Sequence, residues 1–283
     1  MAYMEVRNND SASYYLRKML RKDPDSSSGY LGTGRIYWDL NQPDSAIKYT
    51  QIAMDLSPED CWTYLLMGQI YSHGKNEIIK GLPYFQKAYD RDGESVAEIN
   101  LNIANEYTKI GDYQKASKYY RQALFLSSEC PLIKYYSFSL SASGKYDEAL
   151  HALDSACSIA PCEQICDMTR FYLHLYNNEF EKAEESYYKA VNGGYKPNDG
   201  DEILIAGLYK ETGKNKEASA IAKKSIELNK NLIEKEVSKE MLAFMKLKIA
   251  CAFAVLDDHK SSIMYLSEYE RLGYLQNSYL IKL

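Results

Sequence analysis

Apolar and small residues recur along this chain at helical spacing. Ala116, Tyr120 and Ala123, and again Ala149, Leu153 and Ala156, fall at i, i+4 and i+7 and so share one helix face. Each such stretch follows another in which a small residue usually stands three places before a large one. The clear pairs are Gly34 and Tyr37, Gly68 and Tyr71, Ala104 and Tyr107, and Ala206 and Tyr209; Ser137–Leu140, Phe171–His174 and Ala250–Phe253 are weaker members. The large residues stand at 37, 71, 107, 140, 174, 209 and 253, a period of about 34 that only the last step breaks. Nine or ten places after each comes a small residue: Ala46, Gly81, Ala116, Ala149, Ala183, Ala218 and Ser262. Turn signals separate the two landmarks, as in Asn41-Gln42-Pro43, Gly74-Lys75, Gly111-Asp112, Gly144-Lys145, Asn177-Asn178 and Gly213-Lys214. The pattern predicts repeated units of two short helices joined by a tight turn.

The repeated small residues have a physical reading. Glycine inside a helix costs about 1 kcal/mol relative to alanine, so Gly34 and Gly68 at equivalent places imply a partner helix too close for a side chain. The aromatics then fill the space between units, where a tyrosine hydroxyl can reach the wet edge. On this reading the 27 tyrosines of the chain need no special function.

These positions resemble those of the tetratricopeptide repeat (TPR) family. Its pattern places Gly or Ala and Tyr on the first helix, Ala, an aromatic and Ala on the second, and Pro at the end. Residues 27–60 match best, through Tyr30, Gly34, Tyr37, Ala46, Ala53 and Pro58, and Pro161 repeats the last position. The resemblance covers about 27–276 and implies an all-α, right-handed superhelical solenoid of antiparallel helix pairs, about 7.5 repeats long. The expected pairs are 27–60, 61–96, 97–129, 130–163, 164–198, 199–242 and 243–276 in one continuous domain. Residues 1–26 are expected to hold a half-repeat or capping helix, and 277–283 a C-terminal cap. Asn192 to Gly200 reads as a loop, and Asn231 to Leu256 adds about ten residues to the last period, so a change of geometry is expected there.

Composition narrows the function. With 15 glycines and 7 prolines in 283 residues, the chain is poor in helix breakers. Its formal charge of -5, with no basic block, argues against nucleic acid as a partner. The start lacks the apolar core of a signal peptide and no stretch is long enough to insert in a membrane, so the expectation is a cytoplasmic protein. The six dispersed cysteines fit a reduced state, and the spacings of Cys157, Cys162 and Cys166 fit no zinc pattern. No phosphate loop, dinucleotide fingerprint, nucleophile elbow or His-Glu-x-x-His motif occurs, so no catalytic residue, metal or cofactor is expected. His174 falls in the large-residue slot of its unit and is expected in the core.

In the family the first helix of each pair lines a concave surface, and residues one and five places beyond its starting core position project there. That offset names Leu31, Arg35 and Trp38 in the first unit, Leu65, Gln69 and His73 in the second, and Leu101, Asn105 and Lys109 in the third. It continues with Lys134 and Phe138, then Met168, Tyr172 and Tyr176. Trp38, Phe138 and Tyr172 are the expected anchors, because exposed aromatics carry interface energy. The clamp with which some relatives hold a peptide carboxylate is missing from the first three units, where Leu31, Arg35, Leu66, Ala97 and Leu101 stand at its places. The expected function is a non-catalytic scaffold or adaptor that binds a protein or peptide in this groove, and exposed end units leave a homodimer open. One rival is a sensory or regulatory segment of a larger signalling or transcription-regulating protein, which the incomplete first unit favours. Another is a helical-repeat enzyme, for which no clustered His, Cys or acidic set is present.

Overall fold

The computed structural model describes residues 14–272 except 76, 92, 128–129, 160–162 and 236, and its elements are helices. They fall into two compact units, residues 1–132 and 133–283. A repeat stack is held only by nearest-neighbour contacts, so it divides wherever one of these is weaker. Among the described residues no helix is long and apolar enough to cross a membrane.

The first unit opens with α1 over residues 14–22. The pairs α2 (Ser27–Asp39) with α3 (Pro43–Leu56), α4 (Cys61–Gln69) with α5 (Ile78–Asp90), and α6 (Ala97–Lys109) with α7 (Tyr113–Ser127) follow. The second unit holds α8 (Cys130–Ala142), whose first turn spans the boundary, then α9 (Tyr146–Ile159), α10 (Glu163–Tyr176) and α11 (Phe180–Asn192). It ends with α12 (Asp199–Glu211), α13 (Asn215–Ile233), α14 (Lys239–Val255) and α15 (His259–Arg271). The extra length of the last period lies in the 19-residue α13 and 17-residue α14. Because α14 starts at Lys239, where Ser238 caps it, the last pair begins four residues ahead of the expected 243. The expected cap at 277–283 lies outside the described residues.

The turns explain the period. In six pairs a residue with positive φ follows the first helix: Asn41, Gly111, Gly144, Asn178, Gly213 or Asp257. In each of these the carbonyl of the large landmark residue (Tyr37, Tyr107, Leu140, His174, Tyr209 or Phe253) accepts a backbone N–H from the residue five places on. The second pair differs. There α4 runs into a π-helical turn, Ile70–Gly74, and Tyr71 accepts from Glu77, six places on, at 2.8 Å. The extra residue of that turn is why Gly81 follows Tyr71 by ten places while the other small residues follow their landmark by nine. π turns concentrate at functional sites, and this one carries His73.

All seven small landmark residues are buried. A Cβ at Gly34 would lie 2.5 Å from Thr50 Oγ1 and 3.3 Å from the Ala46 carbonyl, and one at Gly68 would lie 2.7 Å from the Phe85 ring. The close approach read from the two glycines is therefore present. The landmark tyrosines stack on tyrosines of the second helix, Tyr37 on Tyr49 at 5.2 Å, Tyr71 on Tyr84 at 5.5 Å and Tyr107 on Tyr119 at 5.8 Å between ring centres. They are packing residues, as expected.

The reduced state expected of the cysteines is corrected at one pair. The end of α9 and the start of α10 bring Cys157 and Cys166 to a Cα separation of 6.1 Å, within disulfide reach, and the two are bonded. Cys162 lies outside the described residues.

Candidate functional site: the first-helix faces

In the first unit the first helices α2, α4 and α6 border an open cleft of ≈ 340 Å³. Leu31, Arg35, Leu65 and Gln69 line it, as the offset from the repeat predicts, together with Ser28, Trp62 and Glu98. Sequence reasoning missed Ser28, Trp62 and Glu98, although all three lie three places before the offset residues Leu31, Leu65 and Leu101. The repeat phase itself was the signal that could have found them.

Polar groups cross from α4 to α6 along this face. Gln69 Nε2 donates to Glu98 Oε1 at 3.3 Å, while Gln69 Oε1 is buried with no hydrogen-bond partner. One turn further, His73 Nε2 lies 3.2 Å from Glu106 Oε1, and Lys109 Nζ donates to the same oxygen at 2.7 Å. Burial pushes the Glu106 carboxyl toward its neutral form, but the bonds from His73 and Lys109 outweigh it and hold the group below the usual glutamate value. Its second oxygen, Oε2, is buried without a partner.

The other expected residues of this unit are partly engaged. Trp38 is half-buried against Ala46, Leu66 and Ile70, and its exposed neighbour Arg35 stacks 4.6 Å above its ring while bonding Asp39 at 3.3 Å. Trp38 is thus a packing residue between repeats. Asn105 accepts from the Tyr120 hydroxyl at 2.7 Å.

In the second unit the same repeat positions are filled from within. Phe138 and Tyr172, expected as exposed anchors, are each 7% exposed, and Met168 is 3% exposed. Phe138 packs 5.8 Å from both Tyr172 and Tyr176, and Lys134 Nζ sits 4.7 Å over the Tyr172 ring. Burial holds the Lys134 ammonium below its ordinary value, against the pull of Asp201. Asp201 is the cause of this closure. As the third helical residue of the α12 capping box it accepts from Asn198 N at 2.9 Å, from the Tyr195 hydroxyl at 2.8 Å and from the Tyr172 hydroxyl. Burial, with this carboxylate, raises Tyr172 far above the usual phenol value and Tyr195 to about 12. The offset rule could not see this, because it ignores the loop that brings Tyr195 and Asp201 together. His174 is in the core as expected, with Nδ1 2.7 Å from the Tyr146 hydroxyl and 2.8 Å from Glu179 Oε2. No group of three or more metal-binding side chains occurs among the described residues.

Helix pairs of this period, with a small-residue seam and an aromatic landmark, define a helical repeat protein. Models of the tetratricopeptide repeat match residues 97–130 and 203–232, and a second such model matches residues 1–60. These segments of the chain match tetratricopeptide repeats, which supports a tetratricopeptide-repeat architecture. No curated protein matches it in sequence. Solved structures share the fold. A tetratricopeptide repeat protein from Parabacteroides merdae ATCC 43184 is 17% identical, with 88% of this chain and 94% of that one covered and a TM-score of 0.68. YrrB, described as a TPR protein with an unusual peptide-binding site, is 18% identical over 62% of this chain and 91% of its own, with a TM-score of 0.53. The APC/C hetero-tetramer Cut9-Hcn1 is 16% identical over 95% of this chain and 50% of the matched chain, with a TM-score of 0.56.

Proposed function

We propose that this protein is a non-catalytic scaffold that holds a protein or peptide segment against the first-helix face of residues 27–129. The observation that carries the reading is the open cleft, in which apolar walls (Leu31, Leu65) stand beside an exposed indole (Trp62) and hydrogen-bonding groups (Gln69, Glu98). Such a mixture suits an extended segment, which needs apolar pockets for side chains and polar groups for orientation. YrrB, with its peptide-binding site, and Cut9-Hcn1, an assembly of two different proteins, lend the reading support by analogy of fold.

Selection of peptides from a random displayed library against the whole chain, followed by calorimetric titration of the winners, tests it. The expected result is binding that weakens roughly tenfold or more in Trp62→Ala, an exposed position whose loss spares the fold. Selected peptides that bind the parent and Trp62→Ala equally, or a selection that enriches nothing, would overturn it.

A further inference from the structure

We infer that the cleft of residues 27–129 takes a basic side chain from the segment it binds, with the guanidinium of arginine as the best fit. The inference rests on the scaffold reading above and names the chemistry of the partner.

Two acceptors on the cleft wall are left short of donors from the protein itself. Gln69 is 6% exposed, its Nε2 is committed to Glu98, and its Oε1 has no partner. The orientation of the amide follows from the chemistry of its neighbour: an ionised carboxylate only accepts, so the amide nitrogen must face Glu98 and the oxygen must face away. An unsatisfied buried acceptor of this kind is costly, and a turn of the amide toward the cleft would let a donor from outside relieve it. Beside it, the exposed Glu98 receives only that amide, and no lysine or arginine pairs with it among the described residues. The cation that does line the cleft, Arg35, is turned to its own helix, on Asp39 and Trp38.

A guanidinium meets these conditions together. Its planar fork can give one N–H to Gln69 Oε1 and others to the Glu98 carboxylate, its stem can lie on Leu31 and Leu65, and its face can stack on the half-exposed Trp62. The formal charge of -5 favours approach of a basic segment.

The test uses the whole chain, labelled with nitrogen-15, and the probe Nα-acetyl-arginine N-methylamide, whose one charge is the guanidinium. Nα-acetyl-citrulline N-methylamide is the uncharged control of the same shape. Arginine is expected to shift the Trp62 indole and Gln69 amide signals saturably. Citrulline, and arginine on Glu98→Gln, are expected to bind roughly tenfold more weakly. Glu59→Gln, an exposed carboxylate outside the cleft lining, is expected to behave as the parent. Equal binding of citrulline and arginine, an unchanged Glu98→Gln, or no saturable shift at Trp62 would each overturn the inference. Its failure is distinct from that of the scaffold reading: selected peptides that depend on Trp62 but carry no Arg or Lys would sink the basic side chain and leave the groove standing. A saturable arginine shift with no selected peptide would do the reverse.

Discussion

The first-helix faces of the two units start from equivalent repeat positions and end in opposite states. Around α2, α4 and α6 those positions border an open cleft, and an amide oxygen on its wall is left without a donor. Around α8, α10 and α12 they close on one another, because Asp201 offers the Tyr172 hydroxyl a buried acceptor and the rings of Phe138 and Tyr176 pack beside it. A groove residue is available to a partner only when its polar tip finds nothing within its own unit. The capping box of α12 supplies that internal partner in the second unit, and α6 supplies only part of one in the first.

The largest test of this contrast is a truncation in the filled face. Phe138→Ala removes a buried ring from the filled face and is expected to cost about 3–5 kcal/mol, read as a shift in urea unfolding. Reduction of the Cys157–Cys166 bond comes next, at about 2–3 kcal/mol for so short a loop. Hydrogen exchange before and after reduction should show faster exchange in α9 and α10, with α2 to α6 unchanged; uniform loosening of both units would contradict their separate character. Ala116→Leu and Ala183→Leu overpack the same seam position, one in each unit, and each is expected to cost about 1–3 kcal/mol. Melting curves that move for one and not the other would show that the units differ in their seams as well as their grooves.

Acid gives a finer comparison, since each unit holds a glutamate between a histidine and a lysine. Glu106 is held below the usual value despite its burial, and Glu179 is held down to about 2, chiefly by the Tyr146 hydroxyl and then by His174 and Lys182. A depressed carboxyl stabilises the fold above its unfolded value, and that contribution disappears as pH falls through the folded one. Unfolding midpoints should therefore drop on acidification below about 4.5, and the Glu179 share should be lost progressively toward about 2. Glu179→Gln should flatten the acid dependence, and an unaltered profile would count against its role. Smallest of all, Trp62→Ala should change stability by no more than about 0.5 kcal/mol, the counterpart to Phe138→Ala. A large loss there would mean that the open face is packing after all.

Much of the fold was legible in the residue pattern, and the reasons are local. Gly34 and Gly68 mark positions where an added Cβ would meet a neighbouring helix closer than 3 Å, and the seven small residues are all buried. Even the irregular spacing after Tyr71 has its cause in a single inserted residue, the π turn. The site was legible only in part. Leu31, Arg35, Leu65 and Gln69 were placed by the offset that the family resemblance implies, and Trp62 and Glu98 shared a phase that the offset did not use. Phe138 and Tyr172, expected as exposed anchors, are buried, because hydrophobic period reports which way a residue faces and cannot report what a distant loop lays over it.

By itself the amino-acid sequence determined the all-helical repeat, its period, its seam and its turns, since each follows from spacing along one helix and the helix next to it. The tertiary structure alone decided which stretch of the groove stays open and where the chain divides. It also decided that Cys157 meets Cys166 and that Glu106 sits buried between His73 and Lys109. Those outcomes depend on groups brought together from different helices and loops, where a single buried carboxylate or an unmet amide oxygen outweighs the repeat pattern that placed it there.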